Sequence, residues 1–204
     1  VVVRQERAMP LKKLFIFLNI LVFSQIGLAA TTDVQGHLRS GLVQGSFTGA
    51  EKGSFSIASS LELEGEYFVG TKSSLLARAT VSLDQASGQF KYIYMGLGQR
   101  FYLFSRGRPI ESAGDGVYIS QRPRMRYFLE YGLGLAQVQV RSLTKSLSVQ
   151  STIVELGVGG GLIYQFSSSF GISLNLMGAK GYSVSSVSVD STILRGMLGV
   201  VGYF

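Results

Sequence analysis

Period-two alternation dominates the sequence after residue 30. In "SLELEGEYFVG", Leu61, Leu63, Gly65, Tyr67 and Val69 fall on one side, and Glu62, Glu64, Glu66 and Phe68 on the other. This is the pattern of a two-faced strand. The same reading predicts eight strands, at roughly 34–46, 55–69, 74–84, 90–104, 125–141, 151–166, 170–182 and 191–204. No sustained 3.6-residue pattern competes with it, so an all-β meander is expected rather than βαβ units.

The chemistry of the two faces decides what kind of barrel this is. In "KYIYMGLGQRFYLF", Ile93, Met95, Leu97, Phe101 and Leu103 oppose Tyr92, Tyr94, Gly96, Gly98, Arg100 and Tyr102. The fifth segment sets Tyr127, Leu129, Tyr131, Leu133 and Leu135 against Phe128, Glu130, Gly132, Gly134 and Ala136. The sixth sets Val154, Leu156, Val158, Leu162 and Tyr164 against Glu155, Gly157, Gly159, Gly161 and Gln165. A face mixing glycine with charge makes a poor water-facing surface and a poor dry core, but it suits a crowded polar lumen. Hydrocarbon cannot satisfy backbone N–H and C=O groups, so a spanning sheet must close on itself with its apolar side outward. Each segment is long enough for a spanning strand, which needs roughly 9–11 residues. The expected fold is therefore an eight-stranded antiparallel up-and-down transmembrane β-barrel. Aromatic residues near strand ends (Tyr67, Phe68, Tyr102, Phe104, Tyr127, Tyr164, Phe166, Tyr203 and Phe204) are expected to form an interfacial girdle.

The segment ahead of the strands reads as an address. "MPLKKLFIFLNILVFSQIGLAA", residues 9–30, has two lysines, a short apolar run and small residues at its end, the plan of a cleaved export signal. Residues 1–30 are accordingly assigned to upstream sequence and signal peptide, with the start at Val1 or Met9 left open, and residues 31–204 to the barrel domain. The formal charge of the whole chain is +7. Removing Arg4, Arg7, Lys12, Lys13 and Glu6 leaves 19 − 4 = 15 basic and 12 − 1 = 11 acidic residues, net +4. That balance is mild, no nucleic-acid motif accompanies it, and no nucleic-acid partner is expected.

Cysteine is absent, which excludes disulfides and thiolate metal sites, and the single histidine, His37, rules out most constellations that need two or more imidazoles. "GVGGG" at 157–161 lacks the following Gly-Lys-Ser/Thr of a phosphate loop. No cofactor, metal or catalytic residue is assigned. The inward face is expected to hold Arg39, Arg78, Arg100 and Arg195 with Glu62, Glu64, Glu66, Glu130 and Glu155. Charges confined in this way must pair, Arg78 with the glutamates of the second strand and Arg100 with Glu130. An eight-stranded barrel is just wide enough for side chains to fill it, so such a network makes a plug.

The export signal, the eight amphipathic strands, the stretches "GLGQRFYLF" and "RYFLEYGLGLA", and the last strand ending in Tyr203-Phe204 resemble the small outer-membrane β-barrels of Gram-negative bacteria, OmpA-like and OmpW-like. The resemblance implies residence in the bacterial outer membrane, contact with its lipid, and recognition of Phe204 by the barrel assembly machinery. An even strand number puts the start of the first strand and the end of the last on the periplasmic side. Connections at about 47–54, 84–90, 142–150 and 183–190 would then face outward, where they could meet an extracellular ligand. The long connection 105–124 would lie on the periplasmic side, either as an ordered extension or as the sign of a miscounted strand. It is read as a solvated basic loop holding Arg106, Arg108, Arg122 and Arg124, with Arg126 just beyond, and contact with anionic lipid or cell-wall polymer is the alternative. Three functions stay open: a structural or surface-interaction barrel, a narrow conduit for small or apolar solutes, and a lipid-modifying enzyme. The last is disfavoured because Ser40 and His37 fall on opposite strand faces.

Overall fold

The computed structural model describes residues 33–49, 54–83, 90–107, 110–114, 117–121, 123–141, 148–167, 169–184 and 189–203. The expected export signal at 9–30 and Phe204 lie outside these residues. Ten strands form: β1 (Val34–Gly49), β2 (Ser54–Phe68), β3 (Ser73–Leu83), β4 (Phe90–Tyr102), β5 (Ile110–Gly114), β6 (Val117–Gln121), β7 (Met125–Arg141), β8 (Ser148–Gln165), β9 (Phe170–Ser183) and β10 (Val189–Tyr203). Eight of them close a barrel in the order β1-β10-β9-β8-β7-β4-β3-β2, and β5 with β6 makes a separate two-stranded sheet. Each barrel strand pairs antiparallel with its neighbours, including β1 with β10, so no sheet edge remains within the barrel.

The connection 105–124 thus contains an antiparallel strand pair, β5 with β6. It stands between two barrel strands and leaves their count at eight. It emerges from the end at which β1 begins and β10 finishes, hereafter the near end. The far end carries connections 50–53, 84–89, 142–147 and 184–188, none longer than six residues.

Alternation along each strand sorts the side chains by solvent. Leu61 and Leu63 on β2, Leu97 on β4, Leu129 and Leu133 on β7, Leu156 and Val158 on β8, Leu176 on β9 and Leu198 on β10 all point outward and are exposed. Leu97 exposes 69 % and Val158 65 % of its surface. Water gives no reason to display a continuous aliphatic belt of this kind, and hydrocarbon does. Toward the far end the outward face turns polar, with Gln44, Ser46, Gln137, Gln139, Gln150, Thr152, Asp190 and Thr192 on β1, β7, β8 and β10. On β7 the six residues beyond Leu135 extend roughly 20 Å along the strand, so a partial polar collar rises above the apolar belt on these four strands, interrupted by exposed Ile57 on β2 and by Tyr182 and Val184 at the end of β9.

At the near end the belt finishes in exposed aromatic residues: Tyr67, Phe101, Phe104, Tyr127, Tyr164, Phe166 and Phe170. Three residues expected in that girdle, Phe68, Tyr102 and Tyr203, turn inward instead, Tyr203 packing against the cluster that the other two help to form. Phe68 and Tyr102 are buried, with ring centroids 5.8 Å apart, and Tyr102 also meets Phe128. The reason is phase: Phe68 is in register with Glu62, Glu64 and Glu66 on β2, and Tyr102 with Arg100 on β4.

Candidate functional site: a sealed, ion-paired lumen

The interior is built in three tiers. The middle tier is charged. Arg39, Arg78, Arg100 and Arg195 and Glu62, Glu64, Glu66, Glu130 and Glu155 are all buried inside the barrel. The strand register sets the first contacts, because Arg39 lies across from Glu62, Arg78 from Glu64, and Arg100 from Glu130.

The side chains then reach beyond those neighbours. Glu64 is the hub: it accepts from Arg39 Nη2 at 2.7 Å, Arg100 Nη2 at 2.8 Å and Arg78 Nε at 2.8 Å. Arg78 Nη2 and Arg100 Nη2 each also reach Glu130, both at 2.6 Å, and Asn175 Nδ2 donates to the same carboxylate at 2.7 Å. Glu66 accepts from Arg100 Nη1 at 2.5 Å, Ser74 Oγ at 2.5 Å, the Tyr102 hydroxyl at 2.7 Å and the Gln35 amide. Glu62 accepts from Arg39 Nη1 at 2.6 Å and Thr80 Oγ1 at 3.1 Å. Glu155 stands apart with Arg195 Nη2 at 2.7 Å and the Tyr92 hydroxyl at 2.6 Å.

Room for this crossing comes from glycine. Gly96 and Gly98 on β4 lie across from Gly134 and Gly132 on β7, and Gly132 lies across from Gly157 on β8. Between Tyr94 and Arg100 on β4, and between Glu130 and Ala136 on β7, the inward face of the barrel wall therefore carries no side chain, and Arg78 of β3 reaches into that space. At Gly98 a Cβ would stand 2.5 Å from the Tyr131 carbonyl oxygen, so the wall admits no larger residue there without moving backbone. Between this wall and Arg78 a void of about 10 Å³ remains, lined by Leu76, Tyr94, Gly96, Gly98 and Gly132 among others. That is room for one water at most.

The lumen is less uniformly polar than its sequence suggests. Toward the far end Val43, Phe47, Ala58, Tyr92, Tyr94, Val138, Ile153, Ile193 and Met197 pack into an apolar cluster. Toward the near end Phe68, Tyr102, Phe128, Ile163 and Val201 form a second, with Tyr203 against it. The charges thus sit between two dry plugs, where unpaired they would be costly.

Arg126 departs from its assignment to the solvated basic loop: it is buried at the near mouth. Its Nη1 donates to the Gly107 carbonyl at 2.7 Å, its Nη2 to the Tyr203 hydroxyl, and its guanidinium lies 5.5 Å from the Tyr102 ring centroid. Its even-numbered phase with Phe128 and Glu130 on β7 is the signal that places it inside. Gly107 is drawn over the mouth as well. Its N–H bonds the Thr71 carbonyl at 2.9 Å, and a Cβ there would lie 2.2 Å from the Tyr102 ring, so only glycine allows the chain to lie so close. With Arg126 counted, the buried charges among the described residues are five arginines and five glutamates, which cancel.

His37 is buried within this network, with Nε2 3.1 Å from Glu66 Oε2 and 3.4 Å from Arg100 Nη1. His37, Glu64 and Glu66 come close enough to share a metal ion. The donor set argues otherwise, because the Arg100 guanidinium holds both carboxylates and lies against the imidazole, where it already supplies the positive charge. Ser40 points outward, away from His37.

Coupling within the tier is measurable. Arg100→Ala and Glu130→Ala are each expected to destabilise the barrel, and their sum is expected to exceed the effect of the double variant, because each single change strands a buried partner. Strictly additive unfolding free energies in lipid vesicles would contradict the pairing.

The geometry defines a membrane-type barrel: closed, apolar outside, neutralised inside. No protein-family model matches the sequence, and no curated protein matches it. Solved structures do share its fold. Neisserial surface protein A is 14 % identical, with 83 % of this chain and 97 % of that one aligned at a TM-score of 0.55. The N-terminal β-barrel domain of Pseudomonas aeruginosa OprF is 15 % identical over 83 % and 99 % of the two chains, at a TM-score of 0.49. The attachment invasion locus protein Ail of Yersinia pestis aligns over 83 % and 99 % at 15 % identity and a TM-score of 0.46. The chain has the fold of the small eight-stranded outer-membrane β-barrels.

Proposed function

We propose that this protein is an integral outer-membrane barrel with a permanently closed lumen, serving a structural or surface-interaction role and carrying out no enzymatic reaction. The observation that carries this reading is the charge tier. A conduit would need the Glu64, Arg78, Arg100 and Glu130 cluster to part, leaving several charges unpaired between two apolar plugs, a state costing several kcal/mol per ion. The placement of His37 among carboxylates and arginine, with no hydroxyl among the described residues hydrogen-bonded to it, favours an electrostatic role over general-base chemistry.

A surface role would rest on the polar strand ends of the collar together with the connections they carry. Gln44 and Ser46 on β1 and Gln137, Gln139, Gln150 and Thr152 on β7 and β8 offer outward hydrogen-bonding groups at the strand ends that carry those connections. Outer-membrane lipid is the partner of the belt, and an extracellular ligand would meet the collar.

Planar-bilayer recording tests the closed lumen. The purified barrel is expected to give no stable single-channel steps at any applied voltage; reproducible conductance would favour the conduit.

A further inference from the structure

The near rim is electrically lopsided. Lys72, Arg106 and Arg124 are all exposed, and they ride on segments that hydrogen-bond in succession around the barrel. The Lys72 carbonyl accepts from Tyr102 N–H at 2.8 Å, the Tyr127 carbonyl from Leu103 N–H at 3.0 Å, and the Arg124 carbonyl from Gln165 N–H at 2.7 Å. Gly107 N–H reaches back to the Thr71 carbonyl at 2.9 Å, which sets Arg106 beside the turn that carries Lys72, and Arg124 follows at the start of β7, so the three cations share one arc of the rim, over β3, β4, β7 and β8. No ion pair among the described residues holds any of them. The rest of the rim, over β9, β10 and β1, shows Asp33, Ser167 and Ser169 and no Lys or Arg among the described residues.

Directly beneath the basic arc, on the lipid side, stand Leu75, Leu103, Phe104, Tyr127 and Phe166. Phe104 is 85 % exposed and packs edge-on against Tyr127 with ring centroids 6.2 Å apart. A cation row one step above an exposed aromatic row matches the cross-section of an anionic phospholipid, phosphate above and acyl chain below.

We propose that this arc is a binding surface for anionic phospholipid of the near leaflet, an inference that rests on the reading of the chain as a membrane-spanning barrel. A free anionic polymer would find the cations equally attractive but would have no use for the exposed Phe104 and Tyr127 below them. The lipid uses both rows. Each basic residue near an anionic surface adds about fivefold to affinity, and the contribution fades beyond a Debye length.

The test uses the folded barrel in neutral detergent with equimolar phosphatidylglycerol and phosphatidylethanolamine, read by native mass spectrometry. The wild type is expected to retain phosphatidylglycerol in preference. The triple variant Lys72→Gln, Arg106→Gln, Arg124→Gln is expected to lose that preference tenfold or more. Lys72→Arg, Arg106→Lys, Arg124→Lys is expected to keep it, as is the far-end control Lys91→Gln, Lys180→Gln. Equal retention of both lipids by the wild type, or an unchanged preference in the triple variant, overturns the proposal. So does loss of binding to soluble anionic cell-wall fragments with lipid preference intact, which would assign the arc to polymer. The heat-dependent gel shift of a folded barrel is followed in parallel: its absence in the wild type would count against the membrane-barrel reading itself, and its retention in the triple variant shows that lipid preference is lost without unfolding.

Discussion

Replacing Glu64 by alanine is expected to lower the unfolding free energy by about 3–5 kcal/mol, the range for removing one partner of a buried ion pair. Glu64 is fully buried, and its two oxygens answer Arg39, Arg78 and Arg100 together. Its loss leaves three guanidiniums facing one another across a space lined by glycine, with Glu62, Glu66 and Glu130 to compensate. Its neighbour Leu63 points into the apolar belt, where truncation removes only side-chain surface that lipid can replace. Urea unfolding in lipid vesicles should thus rank Glu64→Ala well above Leu63→Ala. Equal effects would show that the lumen charges are not what holds the interior together.

Leu97→Arg is expected to destabilise the barrel by about 2–4 kcal/mol when it is folded in a bilayer, the cost of an arginine on the lipid face near the midplane. Leu97 lies in the middle of the outward face of β4, across from Leu133 on β7. In water the same change at so exposed a position would cost almost nothing, within about 0.5 kcal/mol. The sign and size of this effect therefore report which solvent the face meets. The comparison needs no partner, ligand or activity assay, only the midpoint of unfolding for two proteins in the same vesicles.

Much of this architecture is legible in the sequence, because strand alternation is a strictly local signal. The faces of β2, β4, β7 and β8 follow from counting by two, and a meander makes consecutive strands neighbours, which sets Arg78 beside Glu64 and Arg100 beside Glu130. What alternation cannot carry is distance across the lumen. That Arg39, Arg78 and Arg100 converge on a single carboxylate depends on the narrow bore of eight strands and on the glycine wall of β4, β7 and β8, a property of the closed cylinder. The apolar cluster around Phe47, Ile153 and Ile193 is likewise hidden, because its members are scattered one or two to a strand. Phe68, Tyr102 and Arg126 teach a different lesson: their parity along the strand marked them as inward, whereas their position near a strand end suggested an interface or a loop. Parity is the stronger guide, since pleating fixes the direction of a side chain while the height of the membrane relative to a strand end varies. The β5–β6 pair was obscured by its own composition, since its two five-residue strands sit among arginines, prolines and glycines that read as loop.

The most direct test of the central claim, apolar side chains in hydrocarbon around a sealed charged interior, exploits the absence of native tryptophan. Val158→Trp on the outward face of β8 and Phe128→Trp on the inward face of β7 are each folded into vesicles containing lipids brominated along the acyl chain. Strong quenching of the tryptophan at 158 with little at 128 is the expected result; quenching at 128 comparable to that at 158, or none at 158, would contradict the account.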